Sequence, residues 1–268
     1  MQFLDGVTPL IITYNEIANI ERTLAPLGWA RRIVVIDSGS TDGTVEMMRC
    51  FPQVEVIQHP FTDFASQCNY GLTQIATPWV LSLDADYELS ETLMRELESL
   101  RPAGNIAGYR TRYVYRVHGR PLRATLYPPR TVLYRKNKAC YQKEGHGHRV
   151  VVDGEILPLA GVLYHDDRKS LARWLKSQQR YARDEADYLL GLRVPLTRAD
   201  RIRLMAWPAP IAVFFYTLLV KGCVLDGWPG WYYTLQRALA EILLALEIVD
   251  RRLRGNTATS ADPTGDGP

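Results

Sequence analysis

The chain has 268 residues, 47% of them apolar, and a net charge of +3, enough for one large α/β domain with an appendage, and no nucleic-acid partner is expected. Cys50, Cys68, Cys140 and Cys223 stand singly, which fits reduced thiols in a cytosol rather than a disulfide framework, and Met1–Asp5 reads as no secretory leader. Charge is uneven: residues 1–100 hold 5 Lys and Arg against 14 Asp and Glu, the remainder 27 against 15.

In chain order, Val7 to Ile12 reads as a strand buried on both faces, followed by an amphipathic helix over 17–27 with Ile17, Ile20, Leu24 and Leu27 on one side. Ile33–Ile36 is a second buried strand, residues 44–50 a helix, Val54–Ile57 a third strand, residues 64–75 a helix, and Trp79–Leu83 a fourth strand. Alternating strands and helices predict a mostly parallel sheet with right-handed crossovers, whose ligands bind at the carboxyl ends of the strands. Three polar stretches fall at those ends: Thr13-Tyr14-Asn15-Glu16, Asp37-Ser38-Gly39-Ser40-Thr41-Asp42-Gly43-Thr44, and Asp84-Ala85-Asp86. Carboxylates one residue apart suit a hard divalent cation that also takes phosphate oxygens. An acidic turn is the plainer account of Asp84–Asp86 alone. For Ser40, Thr41 and Gly43, turn chemistry and helix capping is the expected role.

In this order the three stretches resemble the inverting family 2 glycosyltransferases of GT-A fold. Gln67-Cys68-Asn69-Tyr70-Gly71 and the C-terminal half are similar to lipopolysaccharide inner-core glucosyltransferases. The resemblance implies a nucleotide-sugar donor, probed by Thr13, Tyr14, Asn15, Glu16, Asp37, Ser38, Asn69, Asp84 and Ala85, with Asp37 accepting from the base. It also implies Mg²⁺ or Mn²⁺ on Asp86, its shell completed by a late histidine, His165. Inversion needs a general base, and the glycine-flanked loop Glu144-Gly145-His146-Gly147-His148-Arg149 offers Glu144 and His146, in an order that departs from the family's pattern.

Between Arg101 and Arg149 lie 12 basic residues and a single acid, Glu144. Such a block is expected to face an anionic glycolipid or lipid-linked acceptor, or a membrane surface. Residues 108–118 and 130–135 read as strands, with Tyr109, Tyr113 and Tyr115 on one face and Arg110, Arg112 and Arg116 on the other. A zinc site from Cys140, His146 and His148 matches no standard spacing. A long amphipathic helix is predicted from Leu171 to Leu189. Residues 204–220 carry no charge, but Pro208 and Pro210 interrupt them, so an interfacial helix is expected rather than a span. Asp226–Gly230 reads as a turn and Trp231–Val249 as a second apolar helix. The expected division is a catalytic domain over 1–168, a membrane-interface region over 169–254 and a disordered tail over 255–268. A cytoplasmic-face, peripheral or monotopic location follows. A sugar nucleotidyltransferase lacks support because no glycine-rich, arginine-bearing loop follows the first strand; a non-catalytic scaffold is the other alternative.

Overall fold

The computed structural model describes residues 3–123, 126–144, 147–191 and 196–259. Strands and helices alternate as β1 (Val7–Thr13), α1 (Ile20–Leu24), β2 (Ile33–Asp37), α2 (Thr44–Met48), β3 (Val54–Gln58), α3 (Phe64–Thr73) and β4 (Trp79–Asp84). Then come β5 (Tyr87–Leu89), α4 (Glu91–Ser99), β6 (Ile106–Val117), β7 (Arg120–Pro121), β8 (Arg130–Arg135), β9 (Ala139–Glu144), β10 (Gly147–Val152) and β11 (Glu155–His165). The main sheet runs β3-β2-β1-β4-β8-β6-β11-β5, with β7 beside β6, while β9 and β10 form a separate ribbon. Strands β1 to β4 are mutually parallel, β8 is antiparallel to β4 and β6, and β5 is antiparallel to β11. Strand order reverses at β1, between β2 and β4, where such sheets open a crevice.

The apolar runs exist because the central strands are covered on both sides. Ile11, Ile33 and Val35 face a core shared with Leu24 of α1 and Leu93 of α4; Leu10, Val34 and Ile36 face Cys68 and Leu72 of α3. On β6 the predicted faces hold for buried Tyr109 and Tyr113 against exposed Arg110 and Arg112. Arg116 keeps its predicted face but is covered there: its guanidinium lies 3.2 Å over the Tyr164 ring and 3.3 Å from Glu88, both on that same face.

The chain forms two compact units that divide between Lys169 and Ser170. The second contains α5 (Leu171–Gly191), α6 (Arg198–Leu204), α7 (Pro208–Phe215), which runs into a π-turn at Tyr216–Val220, and α8 (Trp228–Thr259). Ala182, Ala186 and Leu189 of α5 pack on Leu244 and Ile248 of α8, and buried Glu241 pairs with Arg203 at 2.8 Å. The expected helix over 204–220 is broken at Met205–Trp207, where Ala206 has φ +65°, and Pro208 opens α7 rather than interrupting it. Likewise the Asp226–Gly230 turn is shorter than expected: Pro229 fits the first turn of α8, which starts at Trp228. That helix continues through Thr259, past the expected tail boundary at 255; residues 260–268 lie outside the described residues. Among the described residues, no helix is long and apolar enough to cross a membrane.

Strand β11 carries an irregularity between Pro158 and Val162, and α4 is fitted to it. Glu96 accepts from Ala160 N (3.0 Å) and Gly161 N (2.9 Å), while the α4 cap Ser90 takes Val162 N (3.2 Å). A Cβ on Gly161 would sit 2.3 Å from Leu93 Cα, a backbone atom that has no room to retreat. Gly161→Ala is expected to cost ~1–3 kcal/mol of stability by overpacking, read as a lower denaturant midpoint; an unmoved midpoint would show that α4 can shift away from β11.

Candidate active site

Buried Asp37, the last residue of β2, shapes the first loop. Its Oδ2 accepts from Gly39 N (3.0 Å) and Ser40 N (2.8 Å), and its Oδ1 from Ser40 Oγ (2.5 Å). Ser40 Oγ accepts from Asn15 N (2.7 Å), Asn15 Oδ1 from Thr41 N (2.7 Å), and Thr44 Oγ1 from Glu16 N (2.7 Å). Residues 13–16 and 37–44 are thus one cross-tied pair of loops. These bonds also explain why α1 opens at Ile20 rather than Ile17: Thr44 and Asp42 claim the N–H groups of Glu16 and Ile17, and a turn closes from Glu16 O to Asn19 N (2.9 Å). Ser40 and Thr41 have the expected turn roles, and Gly43 caps α2 at φ +93°. Thr13 is buried and its carbonyl accepts from Ser38 N (3.0 Å); Tyr14 is exposed.

Asp84 ends β4 and, among the described residues, makes no side-chain hydrogen bond. Ala85 is buried, its carbonyl accepting from Thr23 Oγ1 (2.8 Å). The β5–β11 register places Tyr87 opposite His165, which brings His165 Nε2 to 3.1 Å from Asp86 Oδ2. Tyr87, Tyr115 and Tyr127 surround the imidazole at ring-centroid distances of 5.2, 4.8 and 5.6 Å. Burial works to raise the Asp86 carboxyl, but the imidazolium and the Lys169 ammonium outweigh it and hold the group below the usual carboxylate range. Burial works to lower His165, and Asp86 reverses this, leaving it raised.

The segment after β11 completes the cluster. Lys169 Nζ lies 2.6 Å from Glu16 Oε1 and 3.4 Å from Asp167 Oδ1, and Asn19 Nδ2 donates to Glu16 Oε2 (2.8 Å) and Asp167 Oδ1 (3.1 Å). Asp166, 1% exposed, takes Arg22 (3.3 Å), Arg168 (2.8 Å) and Gly119 N (2.9 Å) on Oδ2. Burial pushes the Glu16 carboxyl up to about 7, with Lys169 opposing and Asp86 reinforcing the rise. Lys169 is itself raised, its three neighbouring carboxylates prevailing over burial, so titration near neutrality falls on Glu16.

Asp86 Oδ1 is buried and, among the described residues, has no hydrogen-bond partner, a hard oxygen donor two residues along from the Asp84 carboxylate. This donor set fits a divalent cation of the Mg²⁺ or Mn²⁺ kind, which takes one or two carboxylates plus substrate phosphates. Among the described residues, no three His, Cys, Asp or Glu side chains converge as a protein-only shell.

Other expected site residues are placed differently. Asn69 gives both amide atoms to the Tyr141 backbone (2.9 Å each), so in this structure it clamps β9 rather than facing a nucleotide. Ser38 Oγ accepts from Gln67 Nε2 (3.0 Å). Glu144 enters the description only as the last backbone position of β9, and His146 lies outside the described residues. The basic block is largely dispersed: Arg135 binds Ile106 O, Lys136 binds Ile75 O, Lys138 pairs with Asp153, and half-buried Arg130 lies near Tyr87 and Asp84. Exposed Arg110 and Arg112 pair with no acid among the described residues. Sequence reasoning assigned no role to Lys169, Asn19 or Arg22; the one signal was the charged run Asp166-Asp167-Arg168-Lys169 directly behind His165.

The Glycosyl transferase family 2 profile matches residues 9–156, the stretch that contains the loops, Asp84–Asp86 and the ribbon. The chain belongs to this family. Its mixed α/β sheet is the GT-A architecture expected of family 2. The lipopolysaccharide core biosynthesis glycosyltransferase LpsC of Rhizobium meliloti is 33% identical over 262 residues, covering 91% of this chain and 92% of LpsC. Among solved structures, residues 1–349 of S. aureus TarS in complex with UDP-GlcNAc are similar at 16% identity and a TM-score of 0.46, covering 93% of this chain and 92% of that one. Glucosyl-3-phosphoglycerate synthase from Mycobacterium tuberculosis, in complex with Mn²⁺, UDP and phosphoglyceric acid, is similar at 17% identity and a TM-score of 0.46, covering 72% and 83%.

Because Glu16 is raised from its ordinary 4.5 to about 7, the folded protein retains a proton that the unfolded chain releases. Its contribution to stability is therefore full below about 4.5 and lost as pH rises through about 7. Glu16→Gln is expected to flatten the stability profile across that interval; an unchanged slope would mean that the Lys169 pair keeps Glu16 ionised throughout.

Proposed function

We propose that this family 2 glycosyltransferase moves a hexose from a UDP-sugar to a hydroxyl of a lipid-linked or lipopolysaccharide-core acceptor, with inversion at the anomeric carbon. The observation that carries the reading is the meeting of the cross-tied loops, the Asp86–His165 pair and Lys169 at the carboxyl edge of one sheet. The name of the LpsC relative supports a core-saccharide acceptor. A membrane-bound acceptor puts the enzyme on the cytoplasmic face of the inner membrane, as a peripheral or monotopic protein.

In this reading residues 13–16, Ser38 and Asp84–Ala85 line the nucleotide, and Asp37 keeps their loop in shape from below. Asp86, through its unpartnered Oδ1, with Asp84 would hold Mg²⁺ or Mn²⁺, which when bound would supply positive charge toward the diphosphate leaving group, while His165 stays on the other Asp86 oxygen. Lys169 adds a fixed cation to the same edge and holds Glu16 back from the donor phosphates. The base is assigned to the β9–β10 ribbon, to Glu144 or His146; the one that acts would take the acceptor hydroxyl's proton as the oxygen attacks. Arg110 and Arg112 are the parts of the basic block left open to an anionic acceptor.

Calorimetry with UDP and GDP, with Mn²⁺, Mg²⁺ or chelator, tests the donor site. Metal-dependent UDP binding that falls at least tenfold in Asp86→Ala is expected; a full chain that binds neither diphosphate under any metal would remove the donor assignment and favour a scaffold. Reversing charge at Arg110 and Arg112 is expected to raise acceptor KM several-fold at constant donor KM. Were both constants to stay put, those arginines would have no part in acceptor capture.

A further inference from the structure

Helix α8 buries one face and leaves the other bare. Tyr233, Ala238, Leu244 and Ile248 point into the helical unit, whereas Trp228, Leu235, Ile242, Leu246, Val249 and Leu253 are exposed, Trp228 at 84% and Leu246 at 61%. At 1.5 Å per residue this stripe is about 38 Å long. Packed beside it, α7 and its π-turn expose Ile211, Phe215 and Leu219, and Trp207 before them is 71% exposed. Continuous apolar surface on this scale marks an interaction site.

Two occupants compete. A second copy pairing along α8 as a coiled coil would want charges beside the seam along its length to set register, but the flanking positions hold Trp231, Gln236, Leu243 and Ala245, and charge enters only in the last turns, at Asp250, which is paired with Arg254, and Arg252. Such pairing would also leave Trp207, Phe215 and Leu219 in water. A lipid surface covers both helices at once, and tryptophan suits headgroup depth. The charge agrees: Arg198 and Arg201 are exposed on α6, Lys221 closes the π-turn, and from Arg198 to Gly227 the acids are Asp200, which is tied into the α6 cap by Thr197, and Asp226.

We propose that α7 and α8 lie in the plane of an anionic bilayer, their exposed stripes sunk to the acyl boundary and Arg198, Arg201 and Lys221 on the lipid phosphates. The proposal rests on the membrane-bound acceptor reading and specifies the surface by which the enzyme reaches it.

The test is co-sedimentation of the full chain with vesicles of phosphatidylcholine, alone or mixed with phosphatidylglycerol, with UDP binding measured in parallel. The full chain should sediment with the mixed vesicles. Ile242→Glu with Leu246→Glu should weaken this at least tenfold, and Arg198→Glu or Arg201→Glu about fivefold or more each. Unchanged UDP binding together with an unchanged helical circular-dichroism melt in every variant would show that each is folded. A full chain that binds UDP but never sediments overturns the docking face and leaves the transferase reading standing. Vesicle binding by a chain that binds no nucleotide does the reverse. A dimer that the Ile242/Leu246 variant dissociates, with no vesicle binding, gives the stripe to a second copy and overturns the proposal.

Discussion

Carboxylates crowd one edge of this sheet, and the fold tolerates them because the segment leaving β11 answers with cations. Glu16, Asp86, Asp166 and Asp167 are all substantially buried, and His165, Lys169, Arg22 and Arg168 stand between them. Stripping one partner from such a buried pair typically costs ~3–5 kcal/mol, because the charge left behind has neither water nor a counter-ion. The bond from Asn19 to Asp167 spans 148 residues of chain, so the turn that leads into α1 is tied to the segment that follows the last strand of the sheet. Folding of the unit and assembly of its site are for that reason hard to separate.

The same arrangement bears on the proposed chemistry. A diphosphate arriving at this edge would meet cations whose places are already fixed, so little reorganisation would remain for the moment of reaction. His165 is confined by three tyrosine rings and Lys169 by two carboxylates. The acids carry as much of the design as the cations: against the opposing effect of burial, they raise both Lys169 and His165.

Strands β1, β2 and β4 were legible because both faces of each are buried, which writes continuous apolar runs into the sequence, whereas edge strand β3 showed only as a short Val-Glu-Val-Ile run; the polar loops were legible because they sit where the buried runs stop. What the sequence concealed is long-range hydrogen bonding. Nothing local says that Thr44 and Asp42 will take the amides of Glu16 and Ile17 and delay α1, or that Asn69 will spend its amide on the backbone of Tyr141. Lys169 stayed hidden because one lysine in a charged run looks like surface until the chain returns it to β1. In the helical unit the prolines misled: Pro208 and Pro229 read as breaks and serve as helix openings, where a missing N–H costs nothing.

The clamp on Tyr141 has a further consequence. Asn69 grips its backbone, and its hydroxyl reaches Ser82 Oγ at 2.7 Å, two residues before Asp84 on β4. The ribbon is therefore a cantilever whose root is bolted to the strand that ends in the donor carboxylates. Under the proposed chemistry, sequence drift beyond Tyr141 would then alter the acceptor side with little effect on the strand that ends in Asp84.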